Sequence, residues 1–295
     1  MSLQAREQRF NGLCERFQPK SLGSLLADYK IPCRQFESLR LAISYYICRC
    51  FPDQQVILDE DGLLDHFAKH REELSNITPN GKIKAKPHLL LEYNLVTRCM
   101  VDIIRSLNID DLVSGFRVPS IRYKPADGEE ENQNRPYASE KCHTEAWRGH
   151  PENSIIFQIP LLGDTKNNYV KLFATPSAFE DHWACQTDDY AQLVKFSDQY
   201  LDVGHVVETS HMYIMDSVSL HHTFREPGAG ARVSLEMYAL LKEKVGPYQS
   251  SMESIHFDAF LEQKDLLQIG SSILFEAENS DVGATLIKNL IKLND

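Results

Sequence analysis

Apolar positions recur every three to four residues through the first third of this chain and every second residue through its middle. The pattern alone therefore divides it. Over residues 35–51, Leu39, Ala42, Ile43, Tyr46 and Ile47 fall on one side of a 3.6-residue period, which predicts an amphipathic helix. A second helix is predicted over 89–107, with Leu91, Leu95, Val96, Met100, Ile103, Ile104 and Leu107 as its stripe, and a third over 61–73, ended before Asn80-Gly81. Near residue 116 the character changes. Short apolar or alternating runs predict strands at 118–123, 155–162, 169–174, 206–209, 212–216 and 232–241, with one inserted helix over 190–201. After Pro247 the spacing returns to helical, and over 283–293 Leu286, Ile287, Leu290 and Ile291 share a face.

Helices, then many short strands, then helices imply an α+β fold. We expect one domain over 1–295: a helical part at 1–115, a double-stranded β-helix (jelly-roll) core at 116–242, and a helical part at 243–295. Such a barrel has a mouth where residues of several strands converge. The flanking helices are expected to pack on one of its sheets.

Composition narrows the function. The 42 acidic residues outnumber the 31 basic ones, for a net charge of -11. That argues against broad nucleic-acid binding and against anionic membrane surfaces, both of which need lysine and arginine. It also suggests no general preference for a polyanionic substrate. No apolar run is long enough to span a bilayer, and the polar start Met1 to Glu7 lacks a signal-peptide core. Seven scattered cysteines suggest reduced thiols, hence a cytoplasmic protein. Oligomeric state is open.

The candidate chemistry lies in His143-Thr144-Glu145. Two ligands two residues apart on a strand point to one face. A second imidazole from a later strand, His221 or His222, would complete a two-histidine, one-carboxylate set. That set caps one side of a ferrous ion and leaves positions open. Adjacent strand residues face opposite ways, so only one of the two histidines can join it. Arg232 offers a planar fork for a carboxylate, and Ser234, on the same strand face, adds a hydroxyl. The competing reading makes Arg232 a surface strand residue paired to Glu226 or Glu236.

In this order, His143-X-Glu145, the strand with Gln158-Ile159-Pro160-Leu161, Leu220-His221 and Arg232-Val233-Ser234 resemble the iron(II)/2-oxoglutarate-dependent oxygenase superfamily. The nearest likeness is to its phytanoyl-CoA dioxygenase-like and antibiotic-biosynthesis (clavaminate-synthase-like) branches. It covers about 116–242. The resemblance implies iron ligation by His143, Glu145 and His221, with the eleven-residue gap to the arginine favouring His221 over His222. It implies Arg232, helped by Ser234, as the 2-oxoglutarate anchor. Gln158 and Arg122 become candidate co-substrate contacts, with a plain strand edge as the alternative for Arg122. Trp147 and Arg148 are candidates for the substrate entrance, although a tryptophan such as Trp147 is more often simply core. Glutamate departs from the commoner aspartate but is also found in clavaminate-synthase-like members. A halogenase, which leaves that position empty, is disfavoured. The implied function is a dioxygenase that uses Fe(II), 2-oxoglutarate and O2 to hydroxylate a small metabolite or natural-product intermediate. The alternative is a cupin-type isomerase, hydrolase or 2-oxoglutarate-independent oxidase on the same jelly-roll site.

Overall fold

The computed structural model describes residues 1–51, 59–129, 134–242, 261–262, 275–277 and 284–286. In chain order its principal elements are α1 (Leu3–Cys14), β1 (Lys20–Gly23), β2 (Leu26–Lys30), α2 (Cys33–Arg49), α3 (Glu60–His70), β3 (Lys82–Ile83), α4 (Leu90–Ser106), β4 (Val113–Phe116), β5 (Ser120–Lys124), β6 (Ser154–Gly163), β7 (Asn168–Ala174), β8 (Leu201–Asp202), β9 (His211–Asp216), β10 (Leu220–Arg225), β11 (Arg232–Leu241), β12 (Leu261–Glu262), β13 (Phe275–Ala277) and β14 (Ala284–Leu286).

Eight stretches build the core. In the larger sheet β5, β11, β6 and β9 lie side by side, all antiparallel. In the smaller sheet β10, β7 and β8 are neighbours, and a backbone bridge between His143 and His221 adds the 143 segment beside β10. Successive stretches of chain alternate between the sheets except at β7–β8. This is the jelly roll expected from the strand-rich centre. The larger sheet is widened by β2, which pairs with β9, and by β3 and β4, which pair with β5 and β11.

Alternation gives the larger sheet two different faces. Val233, Leu235, Met237 and Ala239 on β11 belong to the main core, together with Phe36, Ile43 and Tyr46 of α2 and Val96, Met100 and Ile103 of α4. The intervening residues Arg232, Ser234, Glu236 and Tyr238 face the smaller sheet. Tyr238, Ile156, Tyr213 and Met215 pack there with Leu172 of β7. Helices thus cover one face of the sheet and the polar residues of β11 are turned inward, to the barrel interior.

Several expectations need correction. The first third is not purely helical, because β1 and β2 extend the sheet along the β9 edge; their sequence has little alternation, and pairing alone makes them strands. Residues 206–209 form no strand, and the short β8 takes that place in the smaller sheet. Residues 190–201 form two short 3-10 turns, Tyr190–Gln192 and Val194–Gln199. Tyr190, Leu193 and Phe196 recur every three residues, the period of that tighter helix. On α4, Leu91 and Leu95 are exposed, at 70% and 47%, and the buried face runs instead through Tyr93, Val96, Met100 and Ile103.

The C-terminal part was expected to be helical. Among its described residues, β12 pairs with β4, and β13 pairs with β14, whose apolar-polar-apolar triplets Phe275-Glu276-Ala277 and Ala284-Thr285-Leu286 suit strands. The rest of the expected helix over 283–293 lies outside the described residues. No described helix is long and apolar enough to cross a membrane.

Candidate metal centre

His143 and His221 exchange both backbone hydrogen bonds, at 3.0 and 2.9 Å. Residues paired in this way across antiparallel strands project their side chains to one face. Their rings lie 4.4 Å apart. His222, the next residue, faces the other way and stacks on Phe173 at 5.7 Å. The backbone thus sets His221 beside His143 and turns His222 outward.

Glu145 does not continue the strand. Thr144 caps a 3-10 turn over Glu145–Arg148, its hydroxyl accepting from the Trp147 backbone N–H at 3.3 Å. Ala146 N–H donates to Ser217 O at 2.9 Å, tying this turn to the β9–β10 corner. Gly149 then reverses the chain at φ +78°, and a Cβ there would meet the Gln186 side chain at 2.7 Å. The reversal returns His150 to the site. Its Nε2 lies 3.2 Å from Glu145 Oε2.

Among the described residues, His143, Glu145 and His221 form the one group of three whose ligand atoms could share a metal ion, all within 4.8 Å of one another. The donor set fits a divalent metal in three further respects. His143 Nδ1 lies 2.7 Å from Lys141 O and His221 Nδ1 lies 3.1 Å from Ser219 O. With Nδ1–H donated to a carbonyl, each ring presents Nε2 as its lone pair, the usual outer support of a metal-bound histidine. The Glu145 Oε2 atom is buried and, apart from the His150 ion-pair contact at 3.2 Å, takes no hydrogen bond. Burial, together with the neighbouring His221, holds the His143 imidazole well below its usual range, hence neutral. Burial alone would push Glu145 up, but His150, His221 and Arg148 outweigh it and hold the carboxylate well below its usual range. Burial likewise opposes the charged form of His221, but Glu145 overcomes this and raises it.

Two cavities adjoin this group. The first, about 30 Å³, is bounded by the three residues together with Arg122, Lys124, Tyr190 and Arg232. The second, about 250 Å³, shares Asn80, Arg122 and Arg148 with it and is lined also by His150.

Arg232 is only 2% exposed. It donates to Asn168 Oδ1 at 3.1 Å and to Ser234 Oγ at 2.7 Å, both neutral oxygens. Neither Glu226 nor Glu236 pairs with it; the Glu236 carboxylate lies 2.6 Å from Arg122 Nε instead. Arg122 therefore joins the cavity wall as half of an ion pair. Gln158 is buried directly opposite Glu236 in the β6–β11 register, but it lines neither cavity, so the structure does not bring it to the site. Trp147 is fully buried, with Nε1 donating to Trp183 O at 2.6 Å, and belongs to the core. Arg148 lines both cavities.

Three contributors escaped the sequence reading. Tyr190 stacks on His143, with rings 4.4 Å apart and nearly parallel. Lys124, 1% exposed, reaches Ser139 Oγ at 2.6 Å within the cavity wall. His150 has no partner at metal spacing in the sequence, and the Gly149 reversal supplies Glu145. Only that glycine after a capped turn could have signalled it.

No family profile and no curated protein matches the sequence. Solved structures of similar fold do exist. AviO1 from Streptomyces viridochromogenes Tue57 is 12% identical, over 80% of this chain and 96% of its own, with a TM-score of 0.42. EctD from S. alaskensis, solved with 2-oxoglutarate and 5-hydroxyectoine, is 12% identical over 83% of this chain and 78% of its own, with a TM-score of 0.44. A Pseudomonas putida prolyl-4-hydroxylase is 10% identical over 82% of this chain and all of its own, with a TM-score of 0.40. These are likenesses of fold between distant sequences, and the strand order and site geometry stand independently of them.

Proposed function

We propose that this chain is a non-haem iron(II), 2-oxoglutarate-dependent oxygenase acting on a small molecule. His143, Glu145 and His221 hold the iron from one side, and Arg232 anchors the far carboxylate of 2-oxoglutarate. The observation that carries this reading is the pairing of the two features: a two-histidine, one-carboxylate set, and beside it a buried guanidinium with no carboxylate partner among the described residues. Burying an unpaired cation is costly. A dicarboxylate that reaches from the metal to Arg232 offsets that cost, and the fork geometry of arginine suits it.

When bound there, iron(II) supplies dioxygen activation coupled to the decarboxylation of 2-oxoglutarate. The side chains position and exclude. Tyr190 and the Lys141 carbonyl fix the His143 ring, Ser219 fixes the His221 ring, and the Thr144-capped turn fixes Glu145. Entry of the co-substrate exchanges the Arg232–Ser234 hydrogen bond for a carboxylate. Hydroxylation is the outcome we favour: one C–H bond, O2 and 2-oxoglutarate give one C–OH, succinate and carbon dioxide.

Incubation with iron(II), ascorbate, 2-oxoglutarate and air tests this reading. Succinate release that requires both iron and His143 supports it. Tight metal binding without any succinate, across a panel of small metabolites, contradicts it and leaves a cupin-type reaction independent of 2-oxoglutarate.

A further inference from the structure

The second cavity has a composition that the chain as a whole does not predict. In a protein of net charge -11, its walls carry Lys82, Arg117, Arg122, Arg135 and Arg148, and no carboxylate among the described residues lines it. The cations come from separate elements: Lys82 from β3, Arg122 from β5, Arg117 from the link between β4 and β5, Arg135 from the loop before His143, and Arg148 from the turn beyond Glu145. Lys82 and Arg122 stand directly opposite each other across paired strands. Like charges so placed repel.

Neighbouring groups hold these side chains in place. Glu236 pairs with Arg122, Arg117 lies over the Tyr238 ring at 5.2 Å, Arg148 lies over the Tyr137 ring at 5.6 Å, and Arg135 donates to Asn80 Oδ1 at 2.9 Å. Burial and the nearby Arg117 and Arg122 push the Lys82 ammonium down to about 7. Fixed guanidiniums held against aromatic faces and an amide oxygen keep their forks oriented, a useful arrangement for oxyanions. The cavity adjoins the candidate metal group: it shares Arg122 and Arg148 with the first cavity, and His150 in its wall lies 3.2 Å from Glu145. A molecule filling it would have one end among the cations and the other beside His150, next to Glu145.

We propose that the substrate is a small polyanion, whose phosphoryl or clustered carboxylate groups are bound by Arg117, Arg135, Arg148 and Lys82 while its reacting carbon is presented to the metal. This rests on the oxygenase reading for the word substrate; the anion site itself does not. It also reverses, locally, what the acidic composition suggested about polyanions.

The test is calorimetric titration of the full chain, loaded with iron(II) and saturating 2-oxoglutarate under nitrogen. The probes are inorganic phosphate, tricarballylate and uncharged glycerol. Saturating 2-oxoglutarate keeps Arg232 occupied. The titrations are repeated without iron and co-substrate, so that failure of the oxygenase reading leaves the cavity with its own answer. At least one anion should bind where glycerol does not. R117Q and R135Q, both at half-buried positions, should each weaken it by about tenfold, while R135K retains most of the affinity. Preference for phosphate names a phosphoryl substrate, and preference for tricarballylate a polycarboxylate. Equal or absent binding of all three probes, or unchanged affinity in both glutamine variants, overturns the proposal.

Discussion

Arg232 and Glu236 share one face of β11, four residues apart, yet they do not pair. The Glu236 carboxylate goes to Arg122 at 2.6 Å, and Arg232 is left with the neutral oxygens of Asn168 and Ser234. A cation kept in this state inside a barrel is more readily explained by a ligand than by stability, because a buried charge without a counter-charge destabilises the fold.

Replacing Arg232 should therefore separate two affinities. R232Q is expected to weaken 2-oxoglutarate binding by about 2–3 kcal/mol, roughly 30- to 150-fold, through loss of one partner of a buried charge pair. Iron(II) binding should be retained. Calorimetry of the iron-loaded variant under nitrogen checks both. Equal co-substrate affinity in variant and wild type would remove Arg232 from the assignment.

The two adjacent histidines should behave differently. H221A is expected to lower iron(II) affinity by more than about a hundredfold, beyond the range of an outer-shell change. H222A, whose ring stacks on Phe173 away from the site, should leave that affinity within a factor of about three. Equilibrium dialysis against iron(II) decides between them. Equal losses in both variants would contradict the cross-strand geometry.

Metal affinity should fall with pH in a defined window. In the metal-free protein Glu145 raises the His221 pKa above its ordinary 6.5, so the ring binds a proton that the metal must displace. Iron(II) affinity should decline as pH falls through that raised value, by about tenfold per unit, with one proton released on binding. The stability of the metal-free protein has the opposite sign. The His221–Glu145 pair stabilises fully below 6.5, and the contribution is lost as pH rises through the raised pKa. Calorimetry in buffers of different ionisation enthalpy counts the proton. A pH-independent affinity between 5 and 8 would contradict the pairing.

A buried network away from the metal should control stability instead. Arg6 and Arg9 of α1 reach the two oxygens of Asp216 at 2.7 and 2.9 Å, and Asp216 is fully buried at the β9–β10 corner. D216N leaves two arginines without their counter-charge and should cost about 3–5 kcal/mol. Chemical denaturation measures this. A loss under about 1 kcal/mol would show that the pair is replaceable by a neutral amide.

The sequence made some of this legible and concealed the rest for physical reasons. Strands β6, β7, β9 and β11 announced themselves through alternation or continuous apolar runs, and the order His143, Glu145, His221, Arg232 was visible as spacing. The choice between His221 and His222 was not decided by residue types. It is decided by register, because His143 exchanges hydrogen bonds with His221 and not with its neighbour. His150 and the cationic cavity stayed hidden because each depends on chain reversals that bring distant segments together. The spacing puts Glu145 on a strand, whereas it opens a Thr144-capped 3-10 turn; the carboxylate reaches the two imidazoles either way, so spacing alone could not tell the two apart. The 190–201 segment was read as an ordinary helix because period three and period 3.6 differ little over so short a run.

His143, Glu145 and His221 are proposed to grip one ferrous ion. Anomalous scattering at the iron edge, from crystals grown anaerobically with iron(II) and 2-oxoglutarate, would locate it. A single strong peak is predicted about 2.0–2.2 Å from His143 Nε2, His221 Nε2 and a Glu145 carboxylate oxygen. A peak elsewhere, or none at saturating iron, would contradict it.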